Sequence, residues 1–359
     1  MTNAQLHYTN RDKFLRPTHI LAALPFLAFP ALAEAEGLTP ILLEFGTPRA
    51  QLWAILKETP QGGAAFAFSL ADQLALNPDR KDFPFLAGTI LSFSPLLKYD
   101  RNVNNGFKGD TIYIWGLPFE VDEGTRAVEA TTVGGAVSSG VSFGVARGTT
   151  LTLSGRSEYQ RAIGKEFEIF TSAAAVNLGY TAQNWTYMNA GFLLNEEKRA
   201  LSDETTKIAS FTAGKMLGEG HRYLHDVSVT FIRAEEKSTW QSRVRIDWTG
   251  TFSDAGMFKL GLERGREIDG VLLPRTTVTA SYSNIMFGAP TTVSAFYSKK
   301  TGGQFFGAAR NDNIYKIKAE RKINQRVSAY LSYESKESTV SSFNEAGVDI
   351  GFNITGFRF

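Results

Sequence analysis

The sequence predicts an all-β fold: a transmembrane outer-membrane β-barrel of about fourteen antiparallel strands, preceded by a short N-terminal helical hairpin. Three observations carry this expectation. The chain opens like an exported protein. From about Phe85 onward it becomes a succession of short alternating segments divided by Gly, Asn, Asp and Ser clusters. It closes on an alternating segment, Val348 to Phe359, that runs to the end of the given sequence in an aromatic residue.

Residues 1–35 read as a signal peptide. Arg11, Lys13 and Arg16 precede an apolar run from Ile20 to Leu32, and small residues follow at Ala31, Ala33 and Ala35. Pro25 and Pro30 interrupt the run, which is shorter than the ~20 apolar residues of a spanning helix. Cleavage fits after Ala33 or after Ala35. The chain has no cysteine, so disulfides, thiolate metal sites and a lipid-modified cysteine are excluded. A net charge of +2 gives no footprint for nucleic acid.

Residues 36–82 are expected to form a periplasmic helical segment. Thr47-Pro48 is a start signal, after which Leu52, Ile55 and Leu56 fall on one face. Phe66, Leu70 and Leu74 repeat at four-residue spacing, and Asn77-Pro78 stops the run. The ending, Leu70 to Asp79, resembles the end of a tetratricopeptide repeat. One such hairpin has no neighbouring repeat on which to bury its faces, so it must dock on the rim of a barrel or inside it.

Residues 83–359 are the expected barrel, with strands near 86–98, 127–145, 149–159, 166–180, 184–195, 206–217, 223–233, 239–249, 256–264, 274–283, 291–299, 312–321, 326–335 and 346–359. In the clearest segment Trp240, Ser242, Val244, Ile246 and Trp248 face one way and Gln241, Arg243, Arg245 and Asp247 the other. A soluble sandwich would alternate too. The two tryptophans decide for a membrane, because they bracket an apolar stretch as long as a spanning strand of ~9–11 residues. Arg243, Arg245, Asp247, Lys259 and Glu263 then line a lumen of mixed sign. Short gaps alternate with longer polar ones at 99–126, 196–205, 265–273, 300–311 and 336–345, which fits extracellular loops and periplasmic turns. Twelve or sixteen strands would also fit the pattern. Closure follows from the solvent: in hydrocarbon an open sheet edge leaves unpaired backbone groups that cost several kcal/mol each. The last strand is therefore a seam. Gly356 is placed for a bulge that re-aims Phe357 and Phe359, and terminal Phe residues resemble the signal read by barrel assembly machinery.

The first long connection carries Tyr99-Asp-Arg-Asn-Val-Asn-Asn-Gly106 and then Gly116-Leu-Pro-Phe119. Asp100, Asn102, Asn104, Asn105 and Gly106 suit tight turns, and a calcium loop is the weaker alternative because the Gly and bidentate Glu of helix-loop-helix spacing are missing. This run at the exit of the first strand resembles the barrel domain of surface lipoprotein assembly modifiers, over about residues 48–359. The resemblance implies a barrel that carries surface proteins across the outer membrane, in partnership with outer-membrane lipid, the barrel assembly machinery and a surface lipoprotein client. The chain departs from that family in having room for a single repeat-like hairpin.

Neither an enzyme nor a cofactor site is expected. Of the histidines beyond the leader, His221 and His225 fall across a turn and a strand start, so their four-residue spacing does not co-align them as a zinc pair. The leading expectation is thus a translocation and assembly factor for surface-exposed proteins, and the alternative is a passive porin for small solutes. A connection folded into the lumen would favour the porin.

Overall fold

The computed structural model describes residues 38–58, 64–114, 117–219, 221–354 and 357–358. The expected leader, Gly116, the bulge at Gly356 and the terminal Phe359 lie outside the described residues. Three helices come first: α1 Thr39–Phe45, α2 Pro48–Glu58 and α3 Ala64–Gln73. The barrel follows as β1 Phe85–Asp100, β4 Ala130–Ala146, β5 Thr149–Ala162, β6 Glu168–Thr181, β7 Thr186–Arg199, β8 Ser202–Glu219, β9 Tyr223–Glu236, β10 Thr239–Phe252, β11 Gly256–Gly265, β12 Leu273–Met286, β13 Ala289–Phe305, β14 Ala308–Lys322, β15 Val327–Ser338, and a last strand in two pieces, β16 Glu345–Ile354 and β17 Phe357–Arg358. A small hairpin, β2 Thr111–Ile114 and β3 Leu117–Glu120, sits inside the first long connection.

Every neighbouring pair in the barrel is antiparallel, in sequence order from β16 back to β4 and then β1, with β17 on the far side of β1. The two pieces of the last strand thus stand at opposite ends of the sheet order, and the sheet closes through them into a barrel of fourteen strands. At the seam Ser92 pairs with Arg358 and Phe93 with Phe357.

The outward rows are apolar. Val141 pairs with Leu153, Leu153 with Val176, and Val176 with Phe192; further round, Phe211 pairs with Phe231 and Phe231 with Val244. All of these but the half-buried Val141 stand in the open: Phe231 is 56% exposed and Phe192 46%. An apolar belt carried from strand to strand is a liability in water and the normal outer surface of a barrel in lipid. Near the short-turn end, Tyr223, His225, Trp248, Phe252, Phe258 and Tyr282 form a chain of ring contacts between 4.8 and 6.1 Å, the aromatic girdle of a membrane interface. No helix among the described residues is long and apolar enough to cross a membrane.

Two expectations about connections need correction. The stretches 196–205 and 300–311 are not long loops, because β7 and β8 meet around residues 200–201 and β13 and β14 around 306–307. The ladder simply outruns the membrane: Glu197 still pairs with Glu204 and Lys198 with Asp203, polar on both faces, so alternation stops while hydrogen bonding continues. Phe287-Gly288 and Phe306-Gly307 are two-residue turns with positive φ at both positions, the type I′ geometry that matches strand twist.

A short helix, α1, precedes the pair formed by α2 and α3. Thr47 caps α2 through its side-chain oxygen, which accepts from the Ala50 N–H, and α2 packs on α3 through Leu52, Ile55, Leu70 and Ala71. Leu56 and Phe66, expected on the same apolar faces, are exposed. A helix narrow enough to sit between a partner helix and a curved wall buries a slimmer stripe than the periodicity alone implies.

Candidate functional site

The helices occupy the short-turn mouth of the barrel. Leu38, Ile41 and Leu42 of the α1 region and Ala50, Trp53 and Ala54 of α2 form one buried cluster with Tyr187, Met216, Leu224 and Met257 from β7, β8, β9 and β11. Trp53 is seated against Gly218, where an added Cβ would lie 2.5 Å from the indole. Contacts reach round the wall. The Gly148 N–H donates to the Ala75 carbonyl at 2.7 Å, Lys322 pairs with Glu44 at 2.7 Å, and α3 touches β1 and β4. Arg49 lies 3.5 Å over the Tyr187 ring, and the Tyr187 hydroxyl donates to Asp226 Oδ1 at 2.6 Å. A segment that touches β1, β4, β7, β8, β9, β11 and β12 fills the opening as a plug.

At the opposite end the first connection leans across the mouth. Asp100 closes β1 and accepts from Arg199 Nη1 at 3.3 Å, while the same guanidinium donates to the Asn102 carbonyl at 2.9 Å. Arg101 bonds Asp349 at 2.8 Å and the Val348 carbonyl, passing over Gly347 where any side chain would collide with it. Phe107 makes ring contacts with Phe305 and Phe343. The connection therefore ties β1 to β7 on one arc and to β13, the turn between β15 and β16, and β16 on the other.

The motif residues are the knot that holds this bend. Asn104 is fully buried; its Nδ2 donates to the Arg126 carbonyl at 2.6 Å, its Oδ1 accepts from Val128 N–H at 3.0 Å, and its own carbonyl accepts from Leu201 N–H at 3.1 Å. Asn102 exchanges two bonds with Gly106, at 2.9 and 2.7 Å. Asn105 takes the left-handed conformation at φ 58°. Their polar atoms are turned inward on the backbone, which is turn chemistry and no cage for calcium.

Between plug and bend the wall is arranged in rows. One row runs Asp226, Thr249, Lys259, Ser281, Ser294, Lys318, and the next runs Ser228, Asp247, Gly261, Thr279, Phe296, Lys316. Because Leu224 and Met257, which share these inward faces, touch the plug, both rows face the lumen. All five expected lumen residues belong to this wall. Arg243 pairs with Glu263 at 3.6 Å and with Glu236, and Arg245 with Asp247 at 2.7 Å. Lys259 has no ion pair or hydrogen bond among the described residues. Among the described residues, two cavities lie beside the plug. One, of about 590 Å³, lies between α1 and β9–β14 and is lined by Arg245, Lys259, Lys316 and Lys318 with Asp226 and Asp247. The other, of about 760 Å³, lies against β1 and β4–β7 and is lined mostly by Ser, Gly, Ala and Thr with Arg156 as its one charge among the described lining residues.

His225 is on the outer face, its ring stacked with Trp248 at 5.8 Å, and His221 lies in the preceding turn, so the two do not form a site. No group of three metal-ligating side chains occurs among the described residues. Phe357 is in place at the seam through its backbone pairing. Sequence reasoning did not single out Arg49, Trp53, Tyr187, Arg199 or Gly218. The visible signal for the plug was the lone helical pair, which has no neighbouring repeat on which to bury its faces.

No protein-family profile and no curated protein matches the sequence. Among solved structures the chain is similar to Pseudomonas aeruginosa OccK9 (OpdG), at 9% identity and a TM-score of 0.42 over 77% of this chain and 99% of that one. It is also similar to Acinetobacter baumannii OccAB4, at 8% identity and 0.39 over 79% and 100%, and to the outer membrane protein OprD of Pseudomonas aeruginosa, at 7% identity and 0.38 over 80% and 96%. The likeness is one of remote barrels. The chemistry of this chain is read from its own lumen.

Proposed function

We propose that the protein is an outer-membrane channel for small solutes, closed at the periplasmic mouth by its helical plug and narrowed at the extracellular mouth by the connection between β1 and β4. The observation that carries this reading is the inward bend of that connection, held by Asp100 and Arg199 across four intervening strand pairings. A bend across the mouth limits what passes to solutes rather than chains, and mixed charges on the wall hold it wet. The leader would deliver the chain to the periplasm, and the terminal Phe residues would present it to the barrel assembly machinery. Deleting Phe359 should then lower the heat-modifiable barrel in membranes, and an unchanged yield would argue against that role.

The channel reading is tested in planar bilayers with the full mature chain and with Trp53→Ala. Discrete conductance that rises in the variant supports a plugged channel. Silence in both would overturn it. A second reading, assembly of surface lipoproteins as the motif resemblance implies, is favoured by one observation: Leu56, Phe66 and Phe68 of the helices remain exposed, where an unfolded client could bury them. Loss of surface-exposed lipoproteins on gene deletion, with solute uptake unchanged, would support it over the channel.

A further inference from the structure

The outer wall carries four cations that stand opposite hydroxyls instead of carboxylates. Ser242 lies two residues from the outward Val244 and shares its face. Arg233 of β9 stands opposite Ser242 on one side. On the other side the Arg266 N–H donates to the Ser242 carbonyl at 3.1 Å, which extends the β10–β11 register by one residue and sets Arg266 on the same face. Thr276 of β12 repeats the arrangement, with Arg264 of β11 opposite it on one side and Lys299 of β13 on the other, and Arg264 in turn faces Val244. Each hydroxyl is therefore bracketed by two long cationic side chains whose strands lie roughly 10 Å apart. All four cations are exposed, and none has an ion pair among the described residues. Arg233 lies 5.7 Å over the ring of Trp240.

The rest of this rim is different. Arg161 stands opposite Glu168, Lys198 stands opposite Asp203, and Lys207 bonds Glu235 at 2.9 Å. The carboxylates that border the patch are engaged, Glu235 by Lys207 and Glu267 by Arg275 at 3.9 Å; Glu337, on the same outward face, is two strands beyond Lys299. Two residues toward the membrane from Arg233, Arg264 and Lys299 the wall carries Phe231, Leu262 and Tyr297, the upper edge of the apolar belt. The cations thus sit where acyl chains end and headgroups begin, on the side of the extracellular mouth.

We propose that this patch holds the phosphate groups of the phosphorylated glycolipid of the outer leaflet, one phosphate between Arg233 and Arg266 over Ser242 and a second between Arg264 and Lys299 over Thr276. Three of the four cations are arginines, whose planar fork matches a phosphate with two parallel bonds, and each hydroxyl supplies a further donor. Because apolar side chains continue directly below the cations, the occupant has an anionic head and hydrocarbon in one molecule, which describes a lipid and neither a free phosphate nor an acidic protein. The proposal rests on the outer-membrane reading alone, since a lipid held on the outside wall requires no conduction.

The test is native mass spectrometry of the detergent-purified full mature chain titrated with bisphosphorylated lipid A, with its dephosphorylated form, and with phosphatidylglycerol, each with and without inorganic phosphate as competitor. Expected is a lipid A adduct that exceeds both other lipids and withstands the competitor. It should fall about tenfold or more in the pair Arg233→Gln with Arg266→Gln and in the pair Arg264→Gln with Lys299→Gln, and persist in Arg161→Gln with Lys198→Gln. Heat-modifiable migration of each variant confirms the folded barrel, because none of these side chains holds a ladder. Equal adducts with dephosphorylated lipid A, an equal loss in the Arg161 and Lys198 variant, or displacement by inorganic phosphate would each overturn the site, the second because it reports diffuse attraction to a basic rim. Phosphatidylglycerol binding as tight as lipid A would overturn the choice of glycolipid. Absent binding by a chain that fractionates with the outer membrane sinks this proposal alone, whereas fractionation elsewhere sinks the reading on which it rests.

Discussion

Asp100 at the end of β1 and Arg199 at the end of β7 are joined at 3.3 Å across 99 residues of chain, both side chains largely buried. Because Arg199 also donates to the Asn102 carbonyl and pairs with Glu197 at 2.6 Å, it is the pin on which the bent connection hangs. Arg199→Ala removes three charge-assisted bonds, two of them to the bend, and leaves Asp100 without its closest cationic partner, a loss of about 1–3 kcal/mol in holding the bend. The expected outcome is larger and noisier single-channel current, measured in planar bilayers, with Arg199→Lys intermediate because a point charge cannot serve both acceptors. Identical current traces in all three proteins would mean that the bend does not limit passage.

Asn104 is the second fastening of the same bend. Asn104→Ala keeps the backbone bond from Leu201 but deprives the Val128 N–H and the Arg126 carbonyl of their partner, at about 1–3 kcal/mol for each buried group left unpaired. Limited proteolysis of cells or proteoliposomes should then cut between residues 101 and 129 faster than in the parent. The barrel itself should still migrate as heat-modifiable, since none of its ladders is touched.

Trp53 and Gly218 fit as ring against bare backbone. Truncating a buried Trp costs about 3–5 kcal/mol, so Trp53→Ala should release the plug in a measurable fraction of molecules. Gly218→Val reaches the same end from the wall, by placing a branched side chain where the indole lies. Both should raise conductance and expose α2 to protease. A closed, protease-resistant plug in both variants would show that its other contacts suffice.

Asp72 ties the end of α3 to the chain that leads into β1. Burial pushes its carboxyl up, but hydrogen bonds from Arg80 and Asn77 outweigh burial and hold it below the usual carboxylate range. A depressed folded value adds stability that is present above the unfolded value near ~3.9 and is lost as pH falls through the folded one. The α3 end should therefore loosen below about pH 4. Hydrogen exchange at residues 71–80 would show it, and Asp72→Asn should loosen the segment already at neutral pH and flatten the dependence.

Much of the barrel was legible because lipid outside and water inside impose opposite chemistry on successive residues. Trp240, Val244, Ile246 and Trp248 outward and Arg243, Arg245 and Asp247 inward are as the alternation implies. Strand ends were less legible. Beyond the membrane both faces are wet, so Glu196 to Arg199 read as loop while their backbone remains in the ladder. Asn102, Asn104 and Gly106 were visible as turn formers, yet nothing in their spacing says that the turn folds inward. That depends on Arg199, which is remote in sequence.

By itself, then, the sequence determined the barrel class, the sense of each wall and the place of the seam, because each of these follows from local period and from the requirement that no backbone group be left unpaired in hydrocarbon, whereas fourteen strands rather than twelve or sixteen came from the observed pairings. Only the tertiary structure decided that the helical segment fills one mouth, that the Asn-rich connection crosses the other, and that Arg233 and Arg266 flank Ser242 on the outer rim. Those relationships join residues brought together by barrel closure, and closure sets neighbours through the register of all fourteen strands at once.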